Sequence, residues 1–191
     1  MKLLVLGGPK FLGRAVADAA LARGHEVTFF NRGRTNPELY PEVEKLRGDR
    51  GGDLAPLRGR SWDAVVDTSG YLPGNVEASA KALAGTGRYC FVSSISVYAD
   101  FSGPIDEDSE TLSLGGAPID RLTSDYSNYG ALKALCERAV EDEFGDRAVV
   151  IRPGLIVGAH DPSGRFTYWP HRAEARCSHP PRRTAPFSSW T

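Results

Sequence analysis

Apolar positions along this chain switch between an unbroken or two-residue rhythm and a helical one, and the switching predicts strands alternating with helices. Leu3-Leu4-Val5-Leu6 is a continuous apolar run, the pattern of a strand buried on both faces of a parallel sheet. From Phe11 to Leu21 the spacing is helical, with Phe11, Leu12, Ala15, Val16, Ala19 and Ala20 expected on one broad face. Arg23-Gly24-His25 is the stop signal, with Gly24 suited to the cap. Residues 26–30 read as a second strand. The connection 37–46 is polar with a weak helical pattern, and a short third strand is expected to end near Asp49. Asp53 to Leu57 begins like a capped helical turn. Residues 62–67 read as a fourth strand, 75–83 as a helix closed by Gly85 and Gly87, and 88–92 as a fifth strand. A polar loop rich in Gly, Pro and Asp follows over 100–124, and its length suggests a nearby site. Residues 126–144 form the longest helical pattern, ended by Gly145, and 148–151 a sixth strand stopped by Arg152-Pro153-Gly154. No internal repeat is present. The alternation argues an α/β fold with a doubly wound parallel sheet.

Composition narrows the class more than it changes this picture. With 191 residues, 41% of them hydrophobic, and a formal net charge of −1, the chain reads as an ordinary globular protein with room for a sizeable core. The near-neutral balance argues against wholesale nucleic-acid or membrane-surface binding. No apolar run approaches the ~20 residues that span a bilayer. Met1-Lys2 leads straight into the first strand, leaving no separate signal segment. Cys90, Cys136 and Cys177 lie far apart and read as reduced thiols in a cytoplasmic protein. No Cys/His cluster has metal-ligand spacing. The stretch 171–191 changes character, with four arginines, three prolines, two histidines, one acid and no Leu, Ile or Val. It reads either as a disordered basic tail or, the preferred reading, as non-native coding sequence such as an out-of-frame read-through.

The chemistry starts at Gly7-Gly8-Pro9-Lys10-Phe11-Leu12-Gly13, directly behind the first strand. A glycine turn that opens a helix gathers backbone N–H groups and the positive end of the helix dipole where a pyrophosphate can sit. The spacing fits G-x-x-G-x-x-G with Lys10 in the middle slot, where its charge compensates for a small residue or its bulk hinders close approach. The bland alternative is a tight turn without a ligand. At the end of the second strand, Asn31-Arg32-Gly33-Arg34 holds two arginines and no acid. Charge there favours NADP over NAD, unless the loop is only a solvated basic turn. Asp49 is placed to bond an adenine amino group, and Thr68-Ser69-Gly70 forms a close-approach turn. Tyr129 and Lys133 stand four apart on one helix face. A nearby cation lowers the pKa of a phenol, so the tyrosine can exchange a proton with a substrate oxygen. Ser94, at the end of the fifth strand, can hold the same oxygen. An incidental surface pair is the alternative for Tyr129 and Lys133.

In this order, the Gly7 to Gly13 turn, Gly48-Asp49, Ser93 to Tyr98, the Tyr129/Lys133 pair and Arg152-Pro153-Gly154 resemble the extended short-chain dehydrogenase/reductases of the NAD-dependent epimerase/dehydratase family. The resemblance covers about residues 1–160. It implies a Rossmann-type sheet, with Tyr129 as catalytic acid/base, Lys133 on the nicotinamide ribose and Ser94 orienting substrate. It places Gly7, Phe11, Leu12 and Gly13 along the pyrophosphate, with Lys10 and Pro153 also at the cofactor. Asn31, Arg32 and Arg34 fall around the adenosine ribose, Asp49 and Arg50 flank adenine, and Thr68, Ser69 and Gly70 line the cofactor's middle. Members are usually much longer, their later part supplying a seventh strand and most of the substrate pocket. The resemblance therefore implies a cofactor domain over 1–160, a remnant of a substrate domain over 161–170, the aberrant tail over 171–191, and uncovered apolar surface prone to association. The expected activity is that of an oxidoreductase, epimerase or dehydratase on a hydroxyl or carbonyl of a small, sugar-nucleotide-like substrate. No nucleic-acid or membrane partner is expected, and a homodimer through helices near 78–83 and 132–140 is compatible. The alternatives are a non-catalytic dinucleotide-binding regulatory or RNA-associated protein, or an inactive truncated member.

Overall fold

The computed structural model describes residues 1–164, 168 and 170–173. Among them run six strands, β1 (Lys2–Leu6), β2 (Glu26–Asn31), β3 (Glu44–Arg47), β4 (Ala64–Asp67), β5 (Arg88–Val92) and β6 (Ala148–Ile151). Three α-helices accompany them, α1 (Phe11–Ala22), α2 (Pro73–Ala82) and α3 (Tyr129–Phe144). Every strand pair is parallel, in the order β3-β2-β1-β4-β5-β6. This is the doubly wound, Rossmann-type sheet that the alternation of periods predicts. Met1–Ile156 forms one compact unit, and the chain from Val157 onward belongs to a second.

The apolar run of β1 occupies the centre, where helices on both faces of the sheet bury it. Leu4 and Leu6 pack with Val65, Tyr89 and Phe91 against Val76 and Ala80 of α2 and Cys136, Val140 and Phe144 of α3. Val5 points the other way, into Val27 and Phe29 of β2 and Ala17 and Ala20 of α1. The order of connection reverses between β1 and β4, whose carboxyl ends therefore open onto a crevice where doubly wound sheets hold ligands.

Three element expectations need correction. The segment 37–46 is not helical: turns lead into β3, because Lys45 and Leu46 pair with Phe29 and Phe30 on β2. Sheet pairing overrides the weak local pattern there. The buried face of α1 is Gly13, Ala17 and Ala20, while Ala15 and Ala19 are exposed. Small residues face the sheet so that helix and strand approach closely. The third helix starts at Tyr129 rather than Tyr126, since Tyr126 takes a left-handed φ of 59° and Asn128 turns its side chain onto the preceding loop. The stop of α1 is as expected. Gly24 (φ 72°) donates its N–H to the carbonyl of Leu21, and His25 donates to Ala20, a Schellman closure.

Residues 174–191, and with them most of the expected tail and Cys177, lie outside the described residues; His171 to Ala173 are helical. No helix among the described residues is long and apolar enough to cross a membrane.

Candidate functional site

The glycine turn is shaped by two positions that only glycine fits. Gly7 has φ 128°, and a Cβ on it would stand 2.6 Å from the Thr68 hydroxyl. A Cβ on Gly13 would overlap the carbonyl oxygen of Gly8. Lys10 is different: its φ of −126° and ψ of 131° are open to any residue. The middle slot of the motif therefore requires no glycine, and the exposed Lys10 stands at the lip of the turn. Phe11, the first residue of α1, takes a left-handed φ of 42°, and with Leu12 it is half-buried. No side chain caps α1, so its first turn keeps N–H groups from which an anion seated at the glycine turn can accept.

A cleft of about 500 Å³ runs from this turn across the ends of β1, β2 and β4. Gly7, Gly8, Lys10 and Ser69 line its centre, and Asn31, Arg32, Arg34 and Asp49 its outer end. Asn31 stitches the walls together. Its Nδ2 donates to the Gly7 carbonyl at 3.0 Å, and its Oδ1 accepts from Gly33 N at 2.8 Å and Arg47 Nη1 at 2.5 Å. Arg32 and Arg34 are exposed on the loop beyond. The hydroxyls of Thr68 and Ser69 both donate to the Leu6 carbonyl at 3.2 Å, which fixes the end of β4 against the end of β1.

Arg50 reaches the cleft, but its guanidinium is turned inward. Nη1 and Nη2 donate to Asp67 Oδ1 and Oδ2 at 2.7 and 2.6 Å, and Nη2 also to Ser79 Oγ at 2.7 Å. The buried Tyr89 hydroxyl donates to Asp67 Oδ2 at 2.9 Å. Burial pushes the Asp67 carboxyl up, yet the Arg50 charge outweighs it and holds the pKa below the ordinary value. This pair joins the Asp49 loop to β4 and α2 beneath the cleft floor.

The candidate chemistry-bearing side chains stand behind Tyr71 of the cleft wall. The N-terminus of α3 presents Tyr129, and one turn later Lys133 enters the core with only 3% of its surface exposed. Its Nζ donates to the carbonyls of Gly70 and Val92, 2.7 Å each. Burial pulls the Lys133 pKa down to about 8, with Asp67 and Cys136 opposing. Gly70 permits the contact, since a Cβ there would overlap the Phe91 ring. Ser94 follows β5 and accepts from Ser96 N at 3.1 Å, capping a one-turn 3-10 helix over Ile95–Val97. That turn is pressed against α3, because a Cβ on Gly130 would overlap the Ser96 carbonyl. The Pro153 carbonyl accepts from Ile95 N at 3.0 Å and holds the same turn from the β6 side. The cleft is lined by Asn31, Arg32, Arg34 and Asp49 at one end. Tyr129 and Lys133 do not line it but stand behind its wall residue Tyr71, at 6.5 Å between rings and 5.8 Å from Nζ to ring. Lys133 is bonded to Gly70, while Ser94 and Pro153 hold the adjoining turn after β5. Among the described residues no group of His, Cys, Asp and Glu could hold a metal.

Sequence reasoning passes over four residues of this site. Tyr71 lines the cleft, and its ring lies 6.5 Å from the Tyr129 ring. Gly130 sets the approach of α3. Asn128 fixes the start of α3 by donating to Pro118 and Arg121 carbonyls, 2.9 Å each. Asp67 anchors Arg50. Only Asp67 carries a sequence signal, an acid closing an apolar strand, which must find a buried partner. The other three depend on contacts between distant segments.

No family model matches the chain. It is 29% identical over 185 residues to the 2-alkyl-3-oxoalkanoate reductase of Stenotrophomonas maltophilia (strain K279a), covering 84% of this chain and 52% of that protein. The chain thus spans about half the length of this curated relative. Among solved structures it is similar to the Bordetella bronchiseptica enzyme WbmG in complex with NAD, with a TM-score of 0.71, 21% identity, and 92% of this chain and 60% of that one covered. It is also similar to the UDP-glucuronic acid 4-epimerase of Bacillus cereus in complex with NAD, with a TM-score of 0.64, 20% identity, and coverage of 84% and 59%. These likenesses bear out the Rossmann-type fold and the resemblance to NAD-dependent epimerases and short-chain reductases. They overturn the preference for NADP, since the solved neighbours hold NAD. The physical reason is that positive charge near the second strand is not a phosphate clamp: Arg32 and Arg34 sit exposed on a loop, where water screens them.

Proposed function

We propose that Met1–Ile156 binds NAD in this cleft and supports redox chemistry at a hydroxyl-bearing or carbonyl carbon of a small substrate. The reading rests chiefly on one observation, the buried Lys133 ammonium fixed one helical turn from Tyr129, both beside Tyr71 in the wall of a cleft that begins in a glycine turn. The cradle suits a dinucleotide: two glycines have no room for a side chain, and the uncapped N-terminus of α1 favours anionic oxygens. Lys10 and the α1 N–H groups would hold the diphosphate, with Gly7, Phe11, Leu12 and Gly13 shaping its seat. Asn31 and Asp49 would face the adenosine end, where Arg32, Arg34 and the stem of Arg50 form the wall. Thr68, Ser69 and Gly70 would follow the middle of the ligand, with Pro153 behind Ser94.

Bound NAD accepts or returns a hydride. The chain's own residues then handle the proton and the substrate oxygen. Lys133 has three N–H donors, two of them on carbonyls, which leaves the third for a ribose hydroxyl. Its positive charge stabilises a Tyr129 phenolate, so the phenolate can take the proton of a substrate hydroxyl, and the phenol formed can return it to a carbonyl oxygen in the reverse direction. Ser94 would hold that oxygen by its hydroxyl. The substrate is a sugar-nucleotide-like compound, as in the epimerase, or a 3-oxo compound, as the reductase relative's name describes.

Calorimetric titration with NAD⁺ tests the reading. The wild-type chain is expected to bind, Gly13→Ala to lose at least about tenfold in affinity, and Tyr129→Phe to bind NAD⁺ as before while losing hydride exchange. A folded wild-type chain that does not bind NAD⁺ overturns the proposal.

A further inference from the structure

We infer that Tyr71 is a positioning residue of the Tyr129/Lys133 pair, its ring closing the cleft side of a cage that holds the Lys133 ammonium. The inference rests on the reading of that pair given above. Four groups enclose Nζ. The Gly70 and Val92 carbonyls accept from it at 2.7 Å. The Phe91 ring lies beneath, with its centroid at 4.0 Å, and the Tyr71 ring stands at 5.8 Å. The first three belong to the core, where Phe91 is fully buried. Tyr71 is 49% exposed and lines the cleft beside Gly7 and Ser69. It is the cage wall that meets the dinucleotide site, and its 6.5 Å approach to the Tyr129 ring makes it the link between cleft and phenol.

A ring in this position acts on Lys133 in two opposing ways. Its electron-rich face attracts the cation, and its bulk keeps water away from it. At 5.8 Å the attraction is near the outer limit of about 6 Å for such contacts. Exclusion of water therefore dominates, and it disfavours the charged amine. Other titratable groups reach Lys133 from the packed elements: Asp67 at the end of β4, Arg50 from the loop beneath, and Glu137 and the Cys136 thiol on α3 itself. Of these only Arg50 also lines the cleft, and its guanidinium is held inward on Asp67, so removing the Tyr71 ring changes solvent access without removing a charge.

The experiment follows the Lys133 side chain by NMR in protein labelled with [ε-13C]lysine, distinguishing it from Lys2, Lys10, Lys45 and Lys81 through a Lys133→Arg spectrum. In the wild-type chain the titration midpoint is expected near 8. Tyr71→Ala is expected to move it up toward the ordinary lysine value of 10.5, while Tyr71→Phe, which keeps the ring, leaves it near 8. A midpoint unchanged in Tyr71→Ala overturns the inference, as does an equal rise in Tyr71→Phe, which would assign the effect to the hydroxyl. Tyr71 is half exposed, so both variants are expected to fold, with circular dichroism as the check. The titration needs no cofactor. Failure of the wild-type chain to bind NAD⁺ would strike the proposed function and leave the cage to be judged by the midpoints.

Discussion

Lys133 shows what a buried amine costs the protein that carries it. In the unfolded chain the amine titrates at its ordinary value of 10.5, and in the fold burial brings it to about 8. The native state thus binds fewer protons than the unfolded one between these limits, and stability rises with pH across that window. Below pH 8 the amine must be charged while buried, which costs roughly 3 kcal/mol by the ~1.4 kcal/mol carried by each pKa unit. Denaturant unfolding from pH 7.5 to 10 is expected to show this rise relative to Lys133→Met, in which it disappears. Equal pH slopes in the two proteins would mean that the amine is not desolvated. Arg50 and Asp67 show the contrasting solution: the charges are buried together and hydrogen-bonded on several sides, so neither is left uncompensated.

At the scale of elements, the site is assembled by α3. The helix carries Tyr129 and Lys133, but its closeness to the turn after β5 decides where those groups stand relative to Ser94. Gly130 sets that closeness, since a Cβ would overlap the Ser96 carbonyl and stand 2.8 Å from Leu112 Cδ1. Gly130→Ala is expected to push the start of α3 outward at a cost of about 1–3 kcal/mol. The loss of hydride exchange should exceed what the stability loss explains, because a displacement of about 1 Å at a reacting group costs on the order of a hundredfold. Thermal unfolding and turnover of the same variant check both figures. Arg152 braces the other side of the helix, its Nη2 on the nearly buried Glu137 at 2.8 Å and its Nη1 on the Tyr98 hydroxyl at 3.1 Å. The long polar loop is thereby tied to the scaffold at its start.

On the scale of the whole molecule, the two faces of the sheet are unequally covered. α2 and α3 close one face, and α1 lies over β1 and β2 on the other. Beyond α1 on that second face, among the described residues, Val149 and Ile151 of β6 remain 37% and 46% exposed. β6 is also an edge of the described sheet, and an apolar edge strand is a place for chains to associate. Replacing Val149 and Ile151 together by threonine, which keeps the strand propensity, is expected to lower the mean mass seen by light scattering at high protein concentration. An unchanged mass would locate the association elsewhere or show that there is none.

The amino-acid sequence by itself determined the period of each element and the residues able to do chemistry. Continuous apolar runs must be buried on both faces, which sets a parallel sheet with helices on either side. The turn at Gly7 to Gly13, the serine-rich end of β5 and the Tyr129/Lys133 spacing are local patterns, readable because each depends on residues close together in the chain. The start of β3 was hidden for the opposite reason: a short strand near Asp49 is expected, but Glu44 to Leu46 fall within the weak helical pattern of 37–46 and have little strand character until β2 supplies the partner. Only the tertiary structure decided that the slot held by Lys10 needs no glycine, that the Arg50 guanidinium turns to Asp67, and that Tyr71 and Gly130 belong to the site. All but the first of these depend on an approach between segments far apart in sequence, such as Arg50 with Asp67 or Gly130 with Ser96. Distances of that kind are set by packing, which periodicity does not encode.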